Sequence, residues 1–221
     1  MKLLLTSSGI TNNSLEKALL DLLGKPFNQS NLTFIPTAAN IDKSDKSWLI
    51  NDLNNFRKLG FKSIDITDIS AVPRNRWLSS LEESDAFVLG GGNTKYLLDW
   101  IWKSELDKYL PKLMKTKVYV GISAGSMVTA KSVTLSSDSI NNYMNYKKTG
   151  KLSNWKGLGF VDFEIRPHLN SDFFPNVRIP YLTQLAQKHP VTFYTIDDDT
   201  AVQVIDKKID VITEGKWQKF N

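Results

Sequence analysis

Cysteine is absent from the 221 residues, and histidine occurs only twice, at His168 and His189. The lack of cysteine excludes a disulfide scaffold, a cysteine nucleophile and a thiolate-bound zinc site. A metal site built on three imidazoles is excluded as well. Any mechanism that needs a histidine base therefore has to use one of these two residues.

Long hydrophobic runs are also missing. The apolar part of the segment Met1–Gly9 is shorter than the ~7–15 residues of a signal-peptide core. No segment approaches the ~20 apolar residues of a membrane-spanning helix, so we expect a soluble, cytoplasmic protein without a membrane partner. The net charge is only +5, and the lysines are scattered rather than clustered as they are in nucleic-acid sites, so we expect no nucleic-acid partner.

The order of apolar runs and helical patterns predicts an α/β fold with a mostly parallel sheet, in a single domain that spans residues 1–221. The predicted strands are Lys2–Thr6, Leu32–Ile35, Ser63–Ile66, Ala86–Leu89, Val118–Val120, Phe163–Arg166, Thr192–Ile196, Ala201–Ile205 and Asp210–Thr213. The predicted helices are one that Asn13 caps and Gly24 ends, followed by Asp45–Leu59, Asn75–Glu83, Lys95–Trp102, Glu105–Met114, Ala124–Ala130 and Val177–Lys188. Residues 131–159 are rich in Ser, Asn, Lys and Gly, which predicts a long loop.

The segment Gly121-Ile122-Ser123-Ala124-Gly125 matches the G-x-S-x-G pattern of a nucleophile elbow. It follows an apolar strand and precedes a predicted helix, as such an elbow requires. A serine on a sharp strand-to-helix turn needs small neighbours, and the flanking glycines provide them. We therefore predict that Ser123 is a nucleophile and that the Ala124 amide faces the same space at a helix N-terminus.

A serine nucleophile needs a base, and the base needs a group that orients it. His168 directly follows a predicted strand, where catalytic loops gather in parallel sheets. His189 follows a predicted helix, so we favour His168 as the base. Spacing leaves the acid open among Asp138, Asp162, Glu164, Asp172 and the run Asp197-Asp198-Asp199.

A second glycine-rich turn, Gly90-Gly91-Gly92-Asn93-Thr94, also connects a strand with a helix. It lacks the Gly-Lys-Ser/Thr ending of a phosphate-binding loop and does not match G-x-G-x-x-G. Backbone amides in such a turn can approach a ligand closely. We predict that the Gly92 amide is an oxyanion donor opposite Ala124.

Taken in order, the Gly-Gly-Gly-Asn-Thr turn, the Gly-Ile-Ser-Ala-Gly elbow, the Pro167-His168 pair and the segment Ile196–Ala201 resemble the peptidase E (aspartyl dipeptidase) family of serine peptidases, whose wider relatives include the cyanophycinases. The resemblance implies a flavodoxin-like three-layer fold related to class I glutamine amidotransferases. It also implies Ser123 as nucleophile, His168 as base, an oxyanion hole from Gly92 and Ala124, and Asp138 as the acid beside His168.

The same resemblance implies a short peptide as substrate, in dipeptidase or aminopeptidase mode and with Asp-X among the candidate substrates. It also implies a monomer or homodimer. It implies no metal ion and no organic cofactor. Asn93, Arg166 and Asp198 are expected to contact substrate, and the Asp197–Asp199 run either closes a turn or holds the substrate amine. The candidates for binding the side chain of a substrate aspartate are Arg166, Arg178 and Lys131.

Two other functions are compatible with these motifs. The first is a related hydrolase on the same machinery, such as an esterase or an isopeptidase. The second is a binding protein on the same fold with a silent triad. A Ser123–His168 pair beyond hydrogen-bond reach would favour this second alternative.

Overall fold

A seven-stranded, mostly parallel sheet is the centre of the fold. The computed structural model describes residues 1–41, 43–136 and 155–221. The strands are β1 (Lys2–Thr6), β2 (Asn31–Ile35), β3 (Ser63–Ile66), β4 (Ala86–Leu89), β5 (Val118–Ile122), β6 (Ser132–Val133), β7 (Trp155–Lys156), β8 (Glu164–Arg166), β9 (Phe193–Ile196), β10 (Thr200–Ile205), β11 (Lys208–Thr213) and β12 (Trp217–Phe220). The α-helices are α1 (Asn13–Leu23), α2 (Ser47–Lys58), α3 (Arg74–Glu83), α4 (Thr94–Lys103), α5 (Leu106–Leu113), α6 (Ala124–Met127) and α7 (Ile179–Ala186).

The large sheet has the order β11-β10-β1-β5-β4-β2-β3. Strands β1 to β5 run parallel to one another, whereas β10 runs antiparallel to β1, with Thr6 opposite Ala201. The first residues of β10 therefore lie beside the last residues of β1. This arrangement brings the loop between β9 and β10 to the edge where the parallel strands end.

Helices cover both faces of this sheet, which confirms the predicted three-layer α/β fold. Along β1 the side chains alternate, so that Leu3 and Leu5 enter one core and Leu4 enters the other. Helices α1 and α2 pack on the Leu4 face, and α3, α4, α5 and α7 pack on the opposite face. None of the described helices is long and apolar enough to cross a membrane.

The first residues of helices α1 and α2 differ slightly from the predictions. Asn12, not Asn13, caps α1, because its side chain accepts a hydrogen bond from the Leu15 amide at 3.0 Å. Helix α2 starts at Ser47 rather than Asp45, since the Asp45 carboxylate accepts from the Ser47 amide at 3.0 Å.

A second, three-stranded sheet with the order β12-β9-β8 adjoins the first. Strand β12 was absent from the predicted elements, and it pairs with β9 through residues such as Phe220, opposite Phe193. Of the predicted long loop 131–159, residues 137–154 lie outside the described part. At its two ends, β6 and β7 pair antiparallel.

Buried Glu164 on β8 fixes the segment that follows α6. Its carboxylate accepts hydrogen bonds from the amides of Thr134 and Leu135, both at 3.0 Å, and from the Thr134 hydroxyl at 2.7 Å. His189 contacts the same hydroxyl at 3.2 Å, and burial lowers the pKa of this histidine. Glu164 and His189 therefore form a structural cluster in the core.

Replacing Glu164 with alanine leaves these buried donors without an acceptor. We expect Glu164→Ala to lower the free energy of unfolding by about 3 kcal/mol. Urea denaturation measures this change. Glu82→Ala on the exposed side of α3 is the control and should change it by less than about 0.5 kcal/mol. Equal effects of the two substitutions would contradict the anchoring role of Glu164.

Candidate active site

Ser123 lies on the sharp turn between β5 and α6 with a backbone conformation that side chains rarely adopt. Its φ is 47° and its ψ is −104°. A Cβ atom at Gly125 would collide with the carbonyl oxygen of Leu89, and one at Gly121 would lie 2.7 Å from the Ser126 nitrogen. Only glycine fits at either position, so the two glycines make this turn sterically possible.

Hydrogen bonds from the neighbouring strand hold the turn in place. The Thr6 carbonyl at the end of β1 accepts from the Ser123 amide at 3.1 Å and from the Ser126 hydroxyl at 2.7 Å. The Tyr119 hydroxyl donates to the Gly125 carbonyl at 2.6 Å. Complete burial raises the pKa of Tyr119, so this hydroxyl stays protonated and remains a donor.

The His168 ring connects Ser123 with a carboxylate. Its Nε2 lies 2.9 Å from Ser123 Oγ, and its Nδ1 lies 2.8 Å from Asp198 Oδ1. The three side chains come from three loops, after β5, after β8 and before β10. The structure thus brings together a serine hydroxyl, an imidazole and an acid in the order that nucleophilic catalysis requires.

Ser7, directly after β1, holds both the histidine and the acid. Its hydroxyl donates to Asp198 Oδ1 at 2.5 Å and accepts from the His168 amide at 2.9 Å. His168 has a φ of 66°, and the hydrogen bond from its amide to the Ser7 hydroxyl stabilises this uncommon backbone conformation. Ser7 therefore fixes the two residues relative to each other.

An aromatic ring supports the imidazole from one side. Phe174 stacks on His168 with a centroid separation of 4.4 Å and an interplanar angle of 6°. The loop that carries Phe174 is closed by Arg178, whose guanidinium donates to the carbonyls of Ser171, Phe174 and Val177. Phe174 therefore limits movement of the His168 ring towards this side.

The Asp198 carboxylate is held in its ionised form. Burial raises its pKa, but the hydrogen bond and the charge of His168, with the hydrogen bond from Ser7, outweigh this effect and lower the pKa to about 2. At neutral pH the carboxylate is therefore ionised and can stabilise a protonated His168.

The glycine turn after β4 and the start of α6 both lie beside Ser123. A Cβ atom added at Gly91 would lie 3.5 Å from Ser123 Cβ, so the glycine turn after β4 approaches the nucleophile closely. Gly92 has a φ of 127°, and any side chain there would collide with the Ala38 carbonyl. In the described chain, the amides of Gly92 and Ala124 have no backbone acceptor, so both can donate to a ligand.

Several residues predicted to belong to the site have other partners or lie outside the described residues. Asp138, the predicted acid, is outside the described residues. Among the described residues, the carboxylate at His168 Nδ1 is that of Asp198, which was predicted to contact substrate. Asn93 caps α4 by accepting from the Tyr96 amide at 2.8 Å. Arg166 is buried, and its guanidinium donates to the Leu135 carbonyl at 3.0 Å. Lys131 forms an ion pair with Asp162.

Ser7 and Phe174 were missed by the sequence predictions. A signal for Ser7 exists, because the polar segment Thr6-Ser7-Ser8-Gly9 follows a central strand, at the sheet edge where ligands bind. No comparable signal marks Phe174, whose stacking depends on the path of a loop. Among the described residues, no group of three or more His, Asp or Glu is arranged to hold a metal ion.

The low pKa of Asp198 predicts how its contribution to stability changes with pH. A lowered carboxyl pKa stabilises the fold above the unfolded-state value of about 3.9. This contribution is lost as the pH falls towards about 2. We expect the wild type to exceed Asp198→Asn in free energy of unfolding at pH 5, and this difference to shrink below pH 4. Urea denaturation at several pH values measures it, and a difference that grows on acidification would contradict the assignment.

The chain is similar in sequence to known peptidases. The model of peptidase family S51 matches residues 3–212. An uncharacterized peptidase of Listeria monocytogenes is 27% identical over 179 residues, which cover 80% of this chain and 83% of the relative. Peptidase E of Shewanella oneidensis is 26% identical over 164 residues, which cover 72% of this chain and 64% of the relative.

A solved structure has the same fold over nearly the whole chain. It is a crystal structure titled as a peptidase E protein of Listeria monocytogenes, with a TM-score of 0.74, 23% identity and coverage of 97% of this chain and 98% of that one. The family match spans all of the site residues described above. The chain therefore belongs to peptidase family S51 and is a serine-type peptidase.

Proposed function

We propose that the protein hydrolyses short peptides through an acyl-enzyme, with Ser123 as nucleophile, His168 as general base and Asp198 as the acid that orients His168. The observation that carries this proposal is the continuous hydrogen-bonded series from Asp198 Oδ1 through the His168 ring to Ser123 Oγ, with separations of 2.8 and 2.9 Å. A silent triad would not require this alignment.

In the proposed first step, Ser123 Oγ attacks the scissile carbonyl carbon while His168 Nε2 takes the hydroxyl proton. Ionised Asp198 stabilises the imidazolium and fixes the tautomer in which Nδ1 carries the proton. His168 then gives the Nε2 proton to the leaving amine, and the C–N bond breaks. Water, deprotonated by His168, releases the acyl group and regenerates Ser123.

The negative charge on the tetrahedral oxygen needs donors that are already in position. We assign this role to the amides of Gly92 and Ala124, which lie on the two turns beside Ser123. The Ala124 amide is also at the N-terminus of α6, where negative charge is favoured. A single well-placed donor of this kind contributes about 3–4 kcal/mol to transition-state stabilisation.

The family resemblance implies short peptides as substrates, in dipeptidase or aminopeptidase mode, and relatives of the chain are named peptidase E. Strict preference for N-terminal aspartate has less support. The three cations predicted to bind an aspartate side chain all have other partners. Arg166 and Arg178 donate to loop carbonyls, and Lys131 forms an ion pair with Asp162. We therefore expect a preference broader than Asp-X.

A panel of X-Leu dipeptides, with nitrophenyl esters beside them, tests the function. We expect Ser123→Ala to lower kcat/KM for the best dipeptide by at least about 10³-fold, because the nucleophile is lost. Asp198→Asn should lower kcat by about 10³–10⁴-fold, because the wrong histidine tautomer is favoured.

Asp138→Asn serves as the matched control, since it makes the same chemical change at the other candidate acid. Its kcat should stay within about tenfold of wild type. Full activity in Asp198→Asn together with a large loss in Asp138→Asn would assign the acid to Asp138. Dipeptide hydrolysis that persists in Ser123→Ala would reject the proposed mechanism, and hydrolysis of esters alone would indicate an esterase.

A further inference from the structure

Asp52 is a buried carboxylate that the proposed mechanism does not use. It lies on α2, and only 7% of the residue is exposed. Within residues 1–41, 43–136 and 155–221, its carboxylate has neither a hydrogen-bond donor nor an ion-pair partner. Burying a carboxylate without a partner is costly, so the position of Asp52 calls for a ligand that could pair with it.

The surroundings of Asp52 are those of the nucleophile. A Cβ atom added at Gly9 would lie 3.3 Å from Asp52 Oδ1 and 3.3 Å from Ile122 Cδ1, and Ile122 precedes Ser123. Gly9 ends the short segment that begins with Ser7, the residue that holds His168 and Asp198. Asp52 thus faces the loop at the base of the site.

The residue one turn earlier on α2 confirms which way this helix face points. Trp48 and Asp52 are four residues apart and therefore lie on the same side of the helix. Trp48 Cζ3 would lie 3.6 Å from a Cβ atom at Gly91, and the same position is 3.5 Å from Ser123 Cβ. This face of α2 therefore brings the Trp48 ring to the space next to Ser123, and Asp52 follows one turn later on the same face.

The charge around Asp52 favours a cation as the missing partner. Burial, together with the negative charge of Asp198, raises the pKa of Asp52 to about 7. Asp198 is itself engaged by His168 and Ser7. A positively charged group beside Asp52 would favour its ionised form and offset the cost of its burial.

We propose that Asp52 binds the protonated α-amino group of the substrate, the group that cleavage in dipeptidase or aminopeptidase mode requires the enzyme to recognise. This inference rests on the proposed function of Ser123. The amine nitrogen of an N-terminal residue lies only about 2.5 Å from its own carbonyl carbon. A carboxylate that binds this amine must therefore lie near the nucleophile, and Asp52 Oδ1 and the side chain of Ile122, the residue before Ser123, lie at the same point beside Gly9.

Binding measurements test the proposal without requiring turnover. Ala-Leu and N-acetyl-Ala-Leu are titrated calorimetrically into Ser123→Ala and into Ser123→Ala/Asp52→Asn. We expect the second substitution to weaken binding of Ala-Leu by about 10- to 100-fold, because the charge-assisted hydrogen bond is lost. Binding of N-acetyl-Ala-Leu, which has no ammonium group, should change by less than about threefold.

Turnover gives a second readout in the Ser123-containing enzyme. Asp52→Asn should lower kcat/KM for free dipeptides by about 10- to 100-fold and leave that of their N-acetyl forms unchanged. Asp21→Asn, the same chemical change on the exposed face of α1, is the control and should leave both unchanged. Asparagine has nearly the volume of aspartate, so the folded structure should persist, which thermal unfolding would check.

The outcomes separate this proposal from the proposed function. Equal weakening of both peptides in the Asp52→Asn background, no weakening of either, or no binding of Ala-Leu to Ser123→Ala would overturn the role of Asp52. Dipeptide hydrolysis that persists in Ser123→Ala would instead reject Ser123 as nucleophile. Selective weakening of Ala-Leu binding would support the Asp52 site in either case.

Discussion

The close approach of the turn after β5 to its neighbouring strands is the constraint on which the site depends. Gly125 lies against the Leu89 carbonyl of β4, and the Ser123 amide donates to the Thr6 carbonyl of β1. These contacts hold Ser123 at a φ of 47°, which costs free energy that packing of the sheet must offset. In return, the hydroxyl stands clear of the sheet and faces His168.

Strand order explains why residues so distant in sequence meet at Ser123. Because β10 runs antiparallel to β1, the loop before β10 reaches the end of β1 and delivers Asp198 to Ser7. The site is therefore held by side chains at the ends of adjacent strands, with Ser7 as the residue that joins the acid to the histidine. Asp52 on α2 lies at the same edge of the sheet, beside Gly9. The loop after β1 therefore contacts both the residue proposed to bind the substrate amine and the residues proposed to attack the substrate carbonyl.

Most of the fold follows from local patterns. Apolar runs and capping residues predict the parallel strands and most helices to within a few residues, and the family resemblance is confirmed by the match over residues 3–212. Strand β12 is short and half-exposed, so it carries little hydrophobic pattern. The sequence could not predict the contact between Asp198 and His168, because spacing along the chain does not reveal which loop reaches the histidine. Nothing in the sequence indicates that Asp52 is buried, since a single acidic residue on an amphipathic helix usually lies on the solvent-exposed face.

The most direct measurement of the central claim is labelling with a fluorophosphonate, followed by intact mass and peptide mapping. An activated serine displaces fluoride and forms a stable phosphonyl ester, whereas an ordinary serine does not react. We predict one phosphonyl group per chain, located on Ser123, with labelling slowed in Asp198→Asn. Labelling at another residue, or no labelling of a protein that hydrolyses dipeptides, would contradict the account.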